Sequence, residues 1–418
     1  MTAVEPALAG ELDRDAAALS AYLADGGEDP DEARERFLRL HADALHLELS
    51  DGRSQPLRLR ALLAGAAERV PGLVPAGEAL DAEHARALAD KHGSEIAQGL
   101  LLSFVLAAPA AGAHLVWSML RPTPEALERL DDFRANGVAD LGAAHLRREG
   151  RTGVLELRNP RHLNAEDDTT LGATEVAVDL ALLHPEIEVG VFRGGVVEHP
   201  RYAGRRIFGA GINLTHLYRG RVSYLFYVVR DLGYVHKLLR GLSSEAHRPA
   251  EPEQTTEKLW IAAVETYAIG GACQLLHVVD HVIAERGARL FLPARKEGII
   301  PGASNLRLPR AVGERLARQA ILSGREFVAG TPEGDLLCDE TVEASEVDAA
   351  IAARVEALTS SGLVNAAANR RAMRVGQEPL EVFQAYMATY CREQAVCHLS
   401  PALVENLERN WNAKEREL

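Results

Sequence analysis

Residues 267–276 read YAIGGACQLL: a short apolar approach, two glycines, then Gln274 where a helix should begin. Glycine lets the backbone come close to a ligand, and the positive end of the following helix favours an anion. Taken alone, such a pair more often makes a tight turn. Gln274 can donate or accept a hydrogen bond, but a neutral amide cannot serve as a base. No His/His/carboxylate spacing for a metal is present, nor a haem or flavin signature. The GxG in GAGINL (209–214) lacks the third glycine and the partner acid of a nicotinamide-binding fingerprint. Cys391, Cys397 and His398 match no standard zinc pattern and read as structural.

These residues need a scaffold, and the texture of the chain suggests one. Residues 1 to about 145 read as helical, rich in alanine, leucine and charged side chains. Within them Thr123-Pro124-Glu125 is a strong helix start, and GLLLSFVLAAPAAGA (99–113) is a buried helix interrupted at Pro109 rather than a membrane span. Near Gly150 the pattern changes. GVLEL (153–157) alternates like a strand, ATEVAVDLALLH (173–184) is helical, and VGVFRGG (189–195) and WIAAV (260–264) read as buried strands. Strand, helix and strand in that order predict an α/β core around a mostly parallel sheet. The polar stretch SSEAHRPAEPEQTTE, ending at 257, is expected to be a mobile loop or a cover over a site. From about 343 the chain returns to helix. The expected division is therefore a helical N-terminal domain (1–148), a core (149–342) and a helical C-terminal region (343–418).

The chain has 418 residues and a net charge of −14, which argues against nucleic acid or an anionic membrane as the main partner. Only five of its 46 basic residues are lysine, so a phosphate clamp would be built of arginine. Four irregularly spaced cysteines and no CxxC fit a reducing compartment, and MTAVEPALAG has no basic and apolar leader pattern, so a cytoplasmic location is expected.

GAGINL (209–214), YAIGGACQL (267–275) and EGIIPGASNLRL (297–308) resemble, in order and spacing, the signature segments of the crotonase (enoyl-CoA hydratase/isomerase) superfamily. RHLNAED (161–167), HPRY (199–202), DLGYVHKLLRG (231–241) and LPARKEGIIPGA (292–303) resemble one branch of it more closely. That branch is the cofactor-independent 3,5-dihydroxyphenylacetyl-CoA 1,2-dioxygenases of glycopeptide-antibiotic biosynthesis. The resemblance implies a crotonase-like ββα spiral core with an added helical N-terminal domain. It also implies assembly as a homo-trimer or hexamer through the C-terminal helices.

By the same resemblance, the backbone N–H groups of Ile212 and Gly271 form an oxyanion hole for a thioester enolate. The two hydratase glutamates would fall at Gln274 and, after Pro293, at Ala294. With both acids missing, addition of water loses its usual acid–base pair, while the enolate site is kept. The implied reaction takes an aryl-CoA thioester and O2 to an aryl glyoxylate and CoA, with no metal, flavin or haem. Gln274 is expected beside the substrate. Arg230 is expected near the thioester carbonyl, with a surface arginine as the alternative. Glu166 is expected by the ring hydroxyls or, alternatively, capping the helix after Asn164. His199 meets a ring hydroxyl or is an ordinary loop histidine. Arg161, His162 and Leu163 lead into the segment that cradles the CoA adenine, and Ile299 lines an O2 pocket or packs in the core.

Glu265-Thr266, Ala272 and Cys273 depart from the common pattern, and the first three add bulk near the expected oxyanion site. No histidine or carboxylate stands out as the base for the α-proton. A CoA-thioester isomerase or thioesterase, and a non-catalytic acyl-CoA-binding protein, are the alternatives to a dioxygenase. Oxygen consumption separates them.

Overall fold

The computed structural model describes residues 6–245, 254–360 and 362–416. Helix prevails up to Asn136: seven α-helices run from Pro6–Ala24 to Pro124–Asn136. Thr123 caps the last of these, its hydroxyl accepting from the Ala126 N–H at 3.3 Å. The apolar run around 99–113 forms two helices, Ile96–Ala107 and Pro109–Met119, with Pro109 opening the second. Among the described residues no single helix is long and apolar enough to cross a membrane.

A seven-stranded sheet follows. Its strands are β1 (Val138–Asp140), β2 (Ala144–Glu149), β3 (Thr152–Leu157), β4 (Val189–Gly194), β5 (Leu259–Val264), β7 (His281–Glu285) and β10 (Glu340–Val342), adjacent in that order. From β3 to β10 the pairing is parallel, while β1–β2–β3 is an antiparallel meander. A smaller sheet joins β6 (Tyr267–Ile269), β8 (Arg289–Phe291) and β9 (Phe327–Val328). The sheet thus begins before the change of texture near Gly150. The β2 sequence AHLRRE carries three charged side chains on a half-exposed strand, which disguises it as helix.

The parallel strands are buried on both faces, as crossover connections require. Along β5, Trp260, Ala262 and Val264 enter the main core, whereas Leu259, Ile261 and Ala263 face a second cluster closed by Val347, Ile351 and Val355. Gly190 on β4 pairs with Trp260, and a β-carbon there would lie 2.3 Å from the indole ring. The main core is continuous from Leu12 in the first helix to Ala413. The N-terminal helices therefore share one apolar interior with the sheet.

A buried ion cluster reinforces that union. Lys237 Nζ lies 2.7 Å from both Glu175 and Asp179, and Arg58 from the N-terminal helices lies 2.6 Å from Glu175. Asp179 also accepts from the Thr123 N–H at 2.7 Å. Lys237→Met should cost about 3–5 kcal/mol of unfolding free energy, because two buried carboxylates then share one cation. Urea denaturation checks this, and a loss below about 1 kcal/mol would contradict it.

The polar stretch before β5 is pinned at its ends. Leu242 and Thr256 exchange two backbone hydrogen bonds of 3.0 and 2.8 Å, and Glu257 is gripped by Arg374. Residues 246–253 lie outside the described residues. The pinned ends precede the N-terminal end of β5, whereas the glycine pair follows its C-terminal end.

Candidate active site

The glycine pair is positioned by β6. GAGINL runs beside that strand, with the Ile269 N–H donating to Gly209 O at 3.0 Å. Gly211 (φ 80°) approaches so closely that a β-carbon would sit 2.8 Å from Ile269 O and 3.2 Å from Gly271 N. Gly270 takes φ 54°, and a five-residue helix, Gly271–Leu275, begins at once. Ile212 is fixed by its neighbours: Glu166 N–H donates to Gly211 O, and Asn213 N–H to Glu166 O, both at 2.7 Å. Among the described residues, neither the Ile212 nor the Gly271 N–H is used in a backbone hydrogen bond outside helices and strands. Both residues line one narrow inner cavity of about 30 Å³.

Behind Gly271 lies a buried polar cluster. The Arg230 guanidinium, on the Leu225–Leu232 helix, donates through Nε and Nη2 to Glu166 at 2.9–3.1 Å. Its Nη1 donates to Gln274 Oε1 at 2.9 Å and its Nη2 to Gly271 O at 2.7 Å. Tyr234 donates its phenol to Glu166 Oε1. Burial alone would lower the Arg230 pKa, but the Glu166 carboxylate, with Tyr234 and Asp231 behind it, raises it above its ordinary value. Burial pushes the Asp231 carboxyl up, against the pull of Arg230 and Arg307. Because Arg230 only donates, it fixes the Gln274 amide with oxygen inward and leaves the NH2 group free to donate. A glutamate at 274 would set a further carboxylate beside Glu166 and Asp231, with Arg230 already committed.

A second, outer cavity of about 480 Å³ adjoins the first. Arg161, His162, Leu163 and His199 line this outer space together with Arg201, Arg289, Lys296 and Arg416, so its wall is strongly cationic. Asn164 holds the RHLNAED turn in place, with Nδ2 donating to Gly195 O and Ile207 O at 2.8 Å each.

The structure thus brings together Ile212, Gly271, Gln274, Arg230, Glu166 and Ile299 in the inner cavity. It places His199 in the outer cavity, where its ring stacks obliquely on Tyr202 at 5.8 Å and its Nδ1 accepts from the Arg201 N–H at 3.2 Å. Glu166 is not the helix cap. Asp167 caps Asp168–Leu183, accepting from the Thr169 N–H at 3.0 Å. Arg230 is not a surface residue, being 3% exposed. The methyl of Ala272 packs where Gly209 has no side chain: a β-carbon there would lie 2.8 Å from it. Glu265 forms a fork with Arg193 at 2.8 Å, and Thr266, at φ 65°, donates to Arg206 O.

Asp231, Tyr234 and Glu297 are inner-site residues that went unassigned in the sequence. All three sit inside segments singled out for their resemblance, and only the fold shows which of those side chains point inward. Among the described residues no three His, Cys, Asp or Glu side chains converge as metal ligands.

Comparison with known proteins fits this architecture. The chain belongs to the enoyl-CoA hydratase/isomerase, or crotonase, superfamily: the pattern described as Enoyl-CoA hydratase/isomerase matches residues 245–395. It is 46% identical over 365 residues to the (3,5-dihydroxyphenyl)acetyl-CoA 1,2-dioxygenase of Amycolatopsis orientalis, covering 87% of this chain and 83% of that one. A probable enoyl-CoA hydratase of Mycobacterium bovis is 29% identical over 227 residues, 53% of this chain and 76% of the relative. The crystal structure of an enoyl-CoA hydratase/isomerase from Xanthobacter autotrophicus Py2 superposes with a TM-score of 0.53 at 20% identity, covering 66% of this chain and 96% of that one. The fold is therefore a crotonase core with helical extensions.

Proposed function

We propose that the protein is a metal- and cofactor-independent dioxygenase that converts a hydroxylated arylacetyl-CoA, best represented by 3,5-dihydroxyphenylacetyl-CoA, and O2 to an aryl glyoxylate and CoA. One observation carries the reading. Two N–H groups without backbone partners, Ile212 and Gly271, face a cavity in which both expected hydration acids are replaced, by Gln274 and Ala294. The similarity to the Amycolatopsis orientalis dioxygenase over most of both chains supports the same activity.

Loss of the α-proton would give an enolate whose oxygen sits between the two donors. One such donor is worth about 2.7–4 kcal/mol of transition-state stabilisation. The carbanion, delocalised into the hydroxylated ring, reduces O2 and forms a peroxide at the α-carbon. The peroxide attacks the thioester carbonyl and expels CoA as the thiolate; O–O cleavage with loss of the second α-proton then gives the α-keto acid, and a proton returns to the CoA thiol. Both oxygen atoms end in the product. In this reading Arg230 and Gln274 order the inner cavity, Glu166 holds Arg230, Ile299 lines the space for O2, and the cationic outer cavity takes the CoA phosphates. His199 there would meet the CoA portion or the entering ring.

Assembly as a homo-trimer or hexamer belongs to the same proposal. Val364 and Val375, eleven residues apart on one face of the Leu363–Gln377 helix, are 86 and 68% exposed, an apolar face suited to a second copy. A cytoplasmic location fits four unpaired cysteines.

The test is O2 uptake by EDTA-treated protein given 3,5-dihydroxyphenylacetyl-CoA, with free CoA and the acid product followed together. Uptake matched one-for-one by CoA and glyoxylate is expected. CoA release without uptake would replace this reading with a thioesterase, and tight binding without turnover would leave an acyl-CoA-binding protein.

A further inference from the structure

The dioxygenase reading leaves the proton-abstracting base unnamed, and the inner cavity offers few choices. Both oxygens of Glu166 are engaged by Arg230 and Tyr234. Asp231 lies against Arg230 at 3.7 Å. His199 is in the outer cavity. Glu297 differs from all of these. It ends the short helix Ala294–Glu297, and among the described residues it has neither a hydrogen-bond donor nor a cation as partner.

Its position is equally distinctive. Ile212, Pro293 and Glu297 are the residues that line both cavities, so this carboxylate stands at the neck between them, beside an oxyanion donor. The thioester carbonyl and its α-carbon must lie at that neck if the CoA portion fills the outer cavity and the ring the inner one. Glu297 also follows Ala294 by three residues, one turn along the same helical face. The site thus carries a carboxylate one turn beyond the place where a hydratase would have its acid.

The backbone around it is held on both sides. The Glu297 N–H donates to Pro293 O at 3.0 Å, and Asn410 Nδ2 donates to Lys296 O at 2.8 Å. Gly298, at φ 90°, packs so that a β-carbon would lie 2.9 Å from Asn406 Nδ2, and the Ile300 N–H donates to Gln394 Oε1 at 2.9 Å.

We propose that Glu297 is the general base that removes the α-proton of the bound thioester. This rests on the enolate step of the dioxygenase reading. In that step the α-carbon–hydrogen bond breaks and the proton passes to a Glu297 oxygen. The electron pair forms the enolate double bond, leaving the negative charge on the oxygen between the Ile212 and Gly271 N–H groups. The outer cavity then gives the proton a way to solvent.

Burial raises the Glu297 carboxyl to about 7, which suits a base working near neutral pH. The groups facing it on the inner side are Tyr227, Arg230, Asp231, Glu166 and Tyr390. The titratable groups lining the outer side are Lys296, Arg161, His162, His199, Arg201, Tyr202, Tyr267, Arg289 and Arg416, while the Pro401–Trp411 helix presents neutral side chains there. Burial pushes the Tyr227 phenol well up, and the Glu297 charge adds to that, so this tyrosine stays protonated.

The experiment is exchange of the methylene protons of 3,5-dihydroxyphenylacetyl-CoA in D2O under argon, followed by proton NMR. Binding of the same thioester is measured by calorimetry under argon. Glu297→Gln should slow exchange about a hundredfold or more, with binding and melting temperature unchanged, and Glu297→Asp should recover part of the rate. Exchange by the parent should rise with pH up to about 7 and then level off, a rise that Glu297→Gln lacks. Exchange by Glu297→Gln within about threefold of the parent would overturn the assignment. So would a parent that does not exchange, or a variant that loses exchange only together with binding or folding. A parent that exchanges under argon yet consumes no O2 in air supports the base and removes the dioxygenase reading. If Glu297→Gln keeps both exchange and O2 uptake, the base falls and the dioxygenase stands.

Discussion

Arg230→Lys should leave the protein folded yet slow turnover by about two orders of magnitude. The native guanidinium makes bonds to Glu166, Gln274 Oε1 and Gly271 O at 2.7–3.1 Å, and Tyr234 stacks against it at 5.3 Å. An ammonium keeps the charge but cannot reproduce the planar fork. Gln274 and the Gly271 peptide would lose their common anchor, and with it the aim of the oxyanion donor. Arg230→Met goes further, leaving Glu166 buried without its cation at a cost of about 3–5 kcal/mol of stability. Adding Glu166→Gln should return part of that stability and none of the turnover. Kinetics and urea unfolding on the four proteins decide the matter. Wild-type turnover in Arg230→Lys would remove Arg230 from the site's working parts.

Gly271→Ala should be nearly as damaging, by a different route. Gly271 has an ordinary φ, so the substitution brings no backbone strain. The new methyl, however, would stand 2.9 Å from Glu166 Oε2 and 3.2 Å from Arg230 Nη2. Those atoms are not free ends: each is tied to the other, Arg230 Nη2 also donates to the Gly271 carbonyl, and Tyr234 holds the second Glu166 oxygen. Making room means moving the cluster or tilting the N–H that the enolate needs. A loss of about 100- to 1,000-fold in turnover is expected, similar to removing an oxyanion donor, with little change in thioester affinity. If affinity falls in proportion while turnover at saturation is kept, the methyl has blocked entry instead.

Much of the scaffold was legible because it rests on local rules. GVLEL, VGVFRGG and WIAAV are apolar runs of strand length, and they became β3, β4 and β5. Pro109 marks the break between two helices, and Thr123 is a cap by its side-chain chemistry. The β1–β2 hairpin was hidden by its charged residues, and β6, β8 and β9, of two or three residues each, are too short to leave a period. The GAGINL and YAIGGACQL segments stood out through their glycines and their family resemblance. The Arg230–Glu166 contact joins residues 64 apart through tertiary packing alone, so no local pattern could announce it. Glu297 was invisible for a related reason. Its sequence neighbours, Arg295 and Lys296, suggest a solvated turn, and only the fold brings that turn up against the cavity.

The clasp of the C-terminal helices on the site loop bears on how the chain comes to be active as it is made. Gln394, Asn406 and Asn410, on the helices Leu380–His398 and Pro401–Trp411, secure the backbone on both sides of Glu297, and Tyr386 donates to Gly302 O. The Leu380–His398 helix also covers the Ile96–Ala107 helix, where Gly99 leaves room for Ala395 and Cys391. During synthesis, therefore, the Ile96–Ala107 helix emerges long before the helix that covers its Gly99 side. Until those two helices leave the ribosome, the nascent chain carries an uncovered apolar patch and an unset site loop. Competence to bind chaperones early, and a set site loop only once those helices have emerged, follow from one contact.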